Sequence, residues 1–340
     1  MKALLIAMIV SFVTTFIITP QAIRFLWCAG IRGRDLHKKN KPRLPASGGI
    51  CVAAGAIAGL LSYVGIQTFV YGAQTVSIYL LGVISTILIV TFVGLIDDIN
   101  VKSKDVETRD GKNLKVGLPQ WVKPLLTLPA AIPLMVLNAG ETTMSVPFIG
   151  LINFGIFYPL LLIPIGVVGV SNMINMLGGF NGLEASLGIV YSLSLGIFAL
   201  MVGAETAGVI FLVTSAALVA FLKYNWYPAK ILPGDSLTYL LGSIVASGVI
   251  VGNIEKVGLI IMLPFIFQGI LKFYSLFKMK KFASDLGELQ KDGSIKSKYG
   301  KNIYSLTHIV MNFGRLSEKQ IVSILICIEI IFSILIFLGL

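Results

Sequence analysis

The sequence predicts an all-α integral membrane protein, and three observations carry that expectation. Of its 340 residues, 56% are hydrophobic and only 13% are charged, with a mean hydropathy of +0.89, whereas a soluble globular chain is about 25% charged. The apolar residues gather in runs of about 20, the length a helix needs to cross a hydrocarbon core of roughly 30 Å. Within those runs the apolar residues are continuous and do not alternate, which selects helices over a transmembrane barrel. No internal repeat, low-complexity tract or linker divides the chain, so residues 1–340 are expected to form a single polytopic membrane domain.

About ten crossings can be marked, at 3–26, 49–67, 75–96, 122–138, 148–171, 185–203, 206–222, 236–252, 257–275 and 320–339. The first has almost no basic region before it and runs past Pro20 into Arg24, so it is read as a membrane helix and not as a secretory signal. The third ends in the string DDIN at Asp97 to Asn100, and the fourth opens at Lys123. The fifth ends in SNMINMLGGFNGLEA, and the eighth begins at Gly234, Asp235 and Ser236. After the ninth, residues 286–297 alternate weakly around Asp292 and Gly293, a pair favoured in two-residue turns, and predict a small β-hairpin. Cys28, Cys51 and Cys327 have no metal-ligand spacing and fall within or near membrane segments, so they are read as packing residues without a disulfide.

The formal net charge is +11, but its distribution points to a membrane surface and away from nucleic acid. Basic residues crowd the connections 28–47, 97–121, 223–235 and 276–318, while the opposite connections hold only Lys2 and Lys256. By the positive-inside rule both termini are expected outside and the basic loops in the cytoplasm. Lys278, Lys280 and Lys281, beside the ninth segment, are read as contacts for anionic lipid headgroups.

Ionisable residues next to lipid call for a partner or a function. Taken singly, each polar residue also has a plain structural reading. Asp97 and Asp98 would be a solvated helix end, although carboxylates at a helix C-terminus oppose its dipole. Asn172 and Asn175, three apart on one helical face, would bridge helices by hydrogen bonds. Gly178, Gly179, Asn181 and Gly182 would form a turn, or let backbone approach a ligand. Asp235 would be a helix N-cap. Taken together, the alternation of crossings brings all of them to one face with Lys123, as hard oxygen ligands suited to magnesium beside a cation. A transporter or flippase of lipid-linked sugars is the other class weighed. It would set ionisable groups near the bilayer midplane and often repeat its halves, and the sequence has neither pattern.

The strings RDLHKKNKPRLPASGGI, FVGLIDDIN, NMINMLGGFNGLEA and KYNWYPAKILPGDSLTYLLG, in this order between residues 30 and 275 and in this helical phase, resemble the polyprenyl-phosphate N-acetylhexosamine-1-phosphate transferases of the glycosyltransferase 4 type. The resemblance is strongest to the eukaryotic and archaeal UDP-GlcNAc:dolichyl-phosphate branch. It implies Mg2+, with Mn2+ as a substitute, held by Asn175 and Asp235. It places Lys123 on the pyrophosphate and Asp97 and Asp98 beside the reacting phosphates. It also places Leu36, Asn172, Gly179 and Asn181 at the substrate, the loop of Gly179 and Asn181 facing uracil. The implied substrates are a UDP-N-acetylhexosamine, most often UDP-GlcNAc, and a polyprenyl or dolichyl phosphate, with membrane lipids around the protein and a homodimer as an assembly the family allows. A prenyl phosphate would attack the β-phosphorus and release UMP, the first membrane step of lipid-linked glycan synthesis, N-glycans above all. The implied location is the cell membrane of an archaeon or bacterium, or the endoplasmic reticulum of a eukaryote, with the site facing the cytoplasm.

The chain also departs from that pattern. Its last loop, LFKMKKFASDLGELQKDGSIKSKYG, lacks both the histidine-rich signature of bacterial members and the Pro-Arg-His-Arg string of the eukaryotic enzyme that helps recognise the sugar. His308 stands alone and is read as an ordinary polar residue. Ala46 and Leu232 occupy positions of a glutamate and an aromatic residue near uracil, and these departures leave the sugar open.

Overall fold

The computed structural model describes residues 1–72, 75–100, 119, 121–146 and 150–339. Helix α1 (Lys2–Cys28) leads into a small antiparallel hairpin of β1 (Arg32–Arg34) and β2 (Arg43–Pro45). Helices α2 (Gly49–Val70) and α3 (Thr75–Asn100) follow. The next apolar segment is broken into α4 (Val122–Thr127), a 3-10 turn at Leu128–Ala131 and α5 (Ile132–Val136). Strands β3 (Thr143–Val146) and β4 (Gly150–Asn153) pair antiparallel, and a wide π turn at Tyr158–Leu162 opens α6 (Ile163–Asn175). Then come α7 (Leu183–Met201), α8 (Glu205–Asn225), α9 (Gly234–Gly252), α10 (Glu255–Ile261) and α11 (Leu263–Met279). The chain closes with β5 (Glu288–Leu289), β6 (Ile295–Lys296), α12 (Leu306–Met311) and α13 (Glu318–Leu335).

All ten expected segments correspond to apolar helix, but not to ten equal crossings. Among the described residues, eight helices are long and apolar enough to span a membrane. A ninth is the α10–α11 pair, bent by 60°, where Pro264 in the first turn of α11 cannot continue a preceding helix. The tenth, Val122–Val136, is shorter than a full crossing, and Pro129 and Pro133 interrupt its backbone ladder. The expected start of the fifth crossing is also corrected. Residues 150–153 pair with 143–146 as a hairpin, and helix begins only near Tyr158. The basic residues of 102–115 lie outside the described residues.

The hairpin expected at 286–297 is present, with Leu289 opposite Ile295. Its turn holds residues 291–293 and so is longer than the two-residue turn expected. Gln290 N donates to Ser294 O at 2.8 Å, Gly293 N donates back to Gln290 O at 3.1 Å, and Gly293 takes a left-handed φ of +84°, the bulged form of a three-residue turn. All three cysteines are free.

Helix α9 is the axis of the bundle. Of its apolar window 83% is buried, against 33% in α1 and α13, and it packs on α2, α3, α6, α7 and α8. Large apolar side chains such as Leu5, Ile9, Ile17, Phe92 and Phe277 stay exposed on the outer helices, where a bilayer would cover them. Lipid tails supply no hydrophobic drive between helices, so close association relies on small residues and shape. A Cβ on Gly49 would lie 2.1 Å from Leu237 N, and one on Gly94 would lie 2.5 Å from Ser236 Cα. Those two absent methyl groups let α2 and α3 meet the first turn of α9 backbone to backbone.

Gly94→Ala is therefore expected to cost about 1–3 kcal/mol of stability by overpacking. Gly65→Ala, on the same bundle but with nothing within 4 Å of its Cβ, should melt like the parent protein. Thermal unfolding in detergent compares the two, and equal melting temperatures would refute the close approach of α3 and α9.

Candidate active site

Three helix ends meet at one end of the bundle. The last turn of α3 brings Asp97 and Asp98, the last turn of α6 brings Asn172 and Asn175, and the first turn of α9 brings Asp235. Lys123, at the start of α4, lies between them. Its Nζ is 2.7 Å from Asp97 Oδ2 and 2.8 Å from Asp235 Oδ2. Asp97 is buried to 1% exposure, and Tyr239 Oη donates to its Oδ2 at 3.3 Å. An ammonium shared by two carboxylates is held in place electrostatically and still keeps one of its three donors.

Asp98 does something different from its neighbour. Its Oδ1 accepts the N–H of Asp235 at 2.8 Å and its Oδ2 accepts the N–H of Ser236 at 3.2 Å. These are orphan donors of the first turn of α9, and a carboxylate there is favoured by the positive end of the helix dipole. Two acidic residues that oppose the dipole of their own helix are thus compensated from outside it, Asp97 by Lys123 and Asp98 by α9. Gly234 makes room for the second contact, since a Cβ there would lie 2.3 Å from Asp98 Oδ2.

Asn175 joins the same cluster. Its Nδ2 donates to Asp235 Oδ2 at 3.4 Å, and its Oδ1 accepts from Thr238 Oγ1 at 2.9 Å. Asn172 lies apart from that pair, donating to Val168 O at 2.8 Å and to Thr127 Oγ1 at 3.3 Å.

Two cavities of opposite character meet here. One, of about 280 Å³, is lined by Arg32, Arg34, Leu36, Gly179, Phe180, Asn181, Leu232 and Asp98 among others. The other, of about 980 Å³, has walls of Trp121, Phe273, Leu276 and Phe282 with Lys123, Asn172 and Lys272. Asn175, Asp235 and Asp285 line both. Leu36, Gly179 and Asn181 therefore belong to the polar cavity and Asn172 to the apolar groove.

Side chains that sequence reasoning did not single out hold the polar cavity in shape. Glu184 accepts the N–H of Gly179 at 2.7 Å. Asn181 does not turn its amide freely into the cavity. Its Nδ2 donates to Asp35 Oδ2 at 3.0 Å, and its backbone N–H donates to Glu318 Oε1 at 2.8 Å. Lys38 pairs with Glu318 and Asp35. His37 stacks on Phe180 with ring centroids 4.5 Å apart, and burial lowers its pKa to about 4, so the ring is neutral. The string NGLEA already carried Glu184 at fixed spacing from Gly179, but Glu318 comes from the far end of the chain and left no local signal. His308 is structural, with Nδ1 accepting from Tyr304 N at 3.2 Å and Nε2 2.9 Å from Ser284 O.

Comparison with known proteins places the chain in a family. The model of glycosyl transferase family 4 matches residues 80–253, the stretch that carries Asp97, Asp98, Lys123, Asn175 and Asp235. A Saccharolobus solfataricus protein, provisionally named a UDP-N-acetylglucosamine–dolichyl-phosphate N-acetylglucosaminephosphotransferase, is 35% identical over 98% of this chain and 95% of its own. The Dictyostelium discoideum protein of that same name is 26% identical over 90% of this chain and 81% of its own. A Bacillus subtilis protein, provisionally named an undecaprenyl-phosphate N-acetylglucosaminyl 1-phosphate transferase, is 28% identical over 98% of this chain and 84% of its own. With relatives matched along nearly its whole length and the family model over half of it, the chain belongs to glycosyl transferase family 4.

Proposed function

We propose that the protein transfers N-acetylglucosamine 1-phosphate from UDP-N-acetylglucosamine to a dolichyl or other polyprenyl phosphate and releases UMP. The observation that carries this reading is the meeting of a polar cavity and an apolar groove at Asn175, Asp235 and Asp285. A nucleotide sugar suits the first and a prenyl chain the second, so their phosphates come together at the shared residues. The relatives' names supply the sugar and the carrier.

In this reaction a phosphate oxygen of the lipid forms a bond to the β-phosphorus of the nucleotide sugar, and the bond from that phosphorus to the bridging oxygen breaks toward UMP. A prenyl phosphate with a second pKa of about 6 is largely dianionic at neutral pH, so no residue needs to remove a proton from it. Lys123 supplies positive charge to the phosphates, and Asp97 and Asp235 fix where that charge sits. Asp98 acts through α9, holding the turn from which Asp235 projects.

Magnesium fits the donor set. Asp235 and the amide oxygen of Asn175 are hard oxygen ligands, and magnesium usually takes only one or two protein carboxylates with substrate phosphates completing its shell. An exchange of amide oxygen and nitrogen at Asn175 keeps its hydrogen bond with the Thr238 hydroxyl, which can donate or accept, and turns the oxygen toward Asp235. A bound divalent ion, magnesium or manganese, would neutralise charge gathering on the pyrophosphate as UMP departs.

The site end is inferred to face the cytoplasm. Glu318 at the start of α13 contacts Lys38 and Asn181, and α1 ends at the hairpin that lines the polar cavity, so both chain termini lie at the opposite end. A transport reading would need ionisable ligands near the midplane, and the cluster of Asp97, Asp98, Lys123 and Asp235 is at helix ends.

Three expected outcomes test these points. In a background with the native cysteines replaced by serine, a cysteine at Lys39 should react with a membrane-impermeant maleimide only from the cytoplasmic side, and one at Glu141 only from outside. Reversed labelling would remove the site from cytosolic UDP-sugar. Asp235→Ala should lower UMP release by about 100-fold or more in a protein that still enters the membrane, with Asn175→Ala less affected. Near-wild-type turnover of Asp235→Ala at limiting magnesium would reject its ligand role. Asp97→Asn and Asp98→Asn should stay impaired between pH 6 and pH 9, because raising pH restores no missing charge. Full recovery of both at pH 9 would make one of them the general base.

A further inference from the structure

The apolar groove holds a second cation whose purpose the reaction as described does not use. Lys272, on α11, is 5% exposed and lines the groove together with Lys123. Its Nζ donates to Ala283 O at 2.7 Å and pairs with Asp285 Oδ1 at 2.6 Å. An ammonium has three donors, and among the described residues the third has no partner. Lys123 shows the same arithmetic, with two carboxylates engaged and one donor left.

Asp285 is itself held on several sides. The Oδ1 atom that meets Lys272 also accepts from Gln268 Nε2 at 2.9 Å and from Ser305 Oγ. Gln268 is anchored in turn, its Oε1 accepting the N–H of Leu306 at 2.8 Å. These neutral donors fix the carboxylate in place, so Asp285 neutralises Lys272 and holds its ammonium at the groove wall, where the remaining donor can meet an anionic ligand. The wall around it is aromatic and aliphatic, with Phe273, Leu276 and Phe282. A groove with largely apolar walls, and with Lys123 and Lys272 beside Asp235 and Asp285 among its polar residues, fits an amphiphile with a phosphate head.

We propose that Lys272 binds the phosphate of the lipid acceptor in the groove it lines together with Lys123, and that Asp285 is its positioning residue. The inference rests on the transferase reading above. It assigns to α11, the second helix of the bent pair, the selection of a phosphorylated lipid over the corresponding alcohol.

The test uses full-length protein in detergent with UDP-N-acetylglucosamine and a short-chain prenyl phosphate, following UMP release. Asp285→Asn is the reference, and Lys272→Gln/Asp285→Asn removes the second charge without leaving the first unpaired. Relative to the reference, the double variant should raise the KM for prenyl phosphate about tenfold or more, as loss of a charged hydrogen bond does, and leave the KM for UDP-N-acetylglucosamine within about twofold. Lys272→Arg, which keeps the charge, should hold the acceptor KM within about threefold of wild type. Binding of the neutral prenol should be unaffected by either change. An unchanged acceptor KM in the double variant overturns the proposal, as does a rise confined to UDP-N-acetylglucosamine, which would put Lys272 on the nucleotide side. So does an acceptor KM in Lys272→Arg as high as in the double variant at an unchanged melting temperature. Failure of the wild type to release UMP would sink the transferase reading itself, whereas an active wild type with insensitive variants sinks only this inference.

Discussion

The carboxylate of Asp98, accepting the N–H groups of Asp235 and Ser236, joins the end of α3 to the start of the most buried helix in the bundle. The rest of the site depends on that junction. The same first turn touches α2 at Gly49 and α3 at Gly94, so its position is set by backbone contact as well as by charge. Asp235 projects from this turn, and Lys123 and Asn175 take their places by reference to it. A cap supplied by another helix is an economical way to hold a catalytic carboxylate, because the orphan donors of a helix start require a partner in any case.

Away from this end the bundle is built on membrane rules. Several polar side chains inside the helices bond to backbone within reach, as Thr15 does to Ser11 O and Thr214 to Ile210 O, and Ser11 reaches across to Val213 O at 2.8 Å. Such contacts satisfy hydroxyls in lipid and let helices approach. Charged groups are concentrated where helices end, and the chemistry sits where prenyl chain, headgroup and water meet. The bend between α10 and α11 serves the same arrangement by directing Gln268 and Lys272 toward Asp285.

Much of this was legible in the chain. Continuous apolar runs predicted all ten helical segments, and the phase of those runs brought Asp97, Asp98, Lys123, Asn175 and Asp235 to one end. The misjudged elements share a cause. Apolar content cannot distinguish a full crossing from the proline-interrupted Val122–Val136 helix, nor strand β4 from the first turn of a helix, because the first is decided by its prolines and the second by its pairing with the neighbouring β3. The turn near Asp292 was anticipated, but its length depends on whether Gln290 and Ser294 pair, which composition does not specify.

By itself the sequence determined the class, the order and the chemical inventory. Hydrophobic run length sets membrane crossing, and motif order sets which residues share an end. The tertiary structure decided how adjacent residues divide their work. Asp97 and Asp98 are chemically the same, and only the approach of Lys123 to one and of the α9 amides to the other gives them different roles. Likewise Asn172 and Asn175 are three residues apart, yet one lines only the apolar groove and the other stands where both cavities meet. Glu318, at the start of α13, and Asp285, in the loop after α11, enter the site through contacts distant in sequence. The physical reason is that a side chain's partners are set by how helices pack, at distances of a few ångströms that no local pattern encodes.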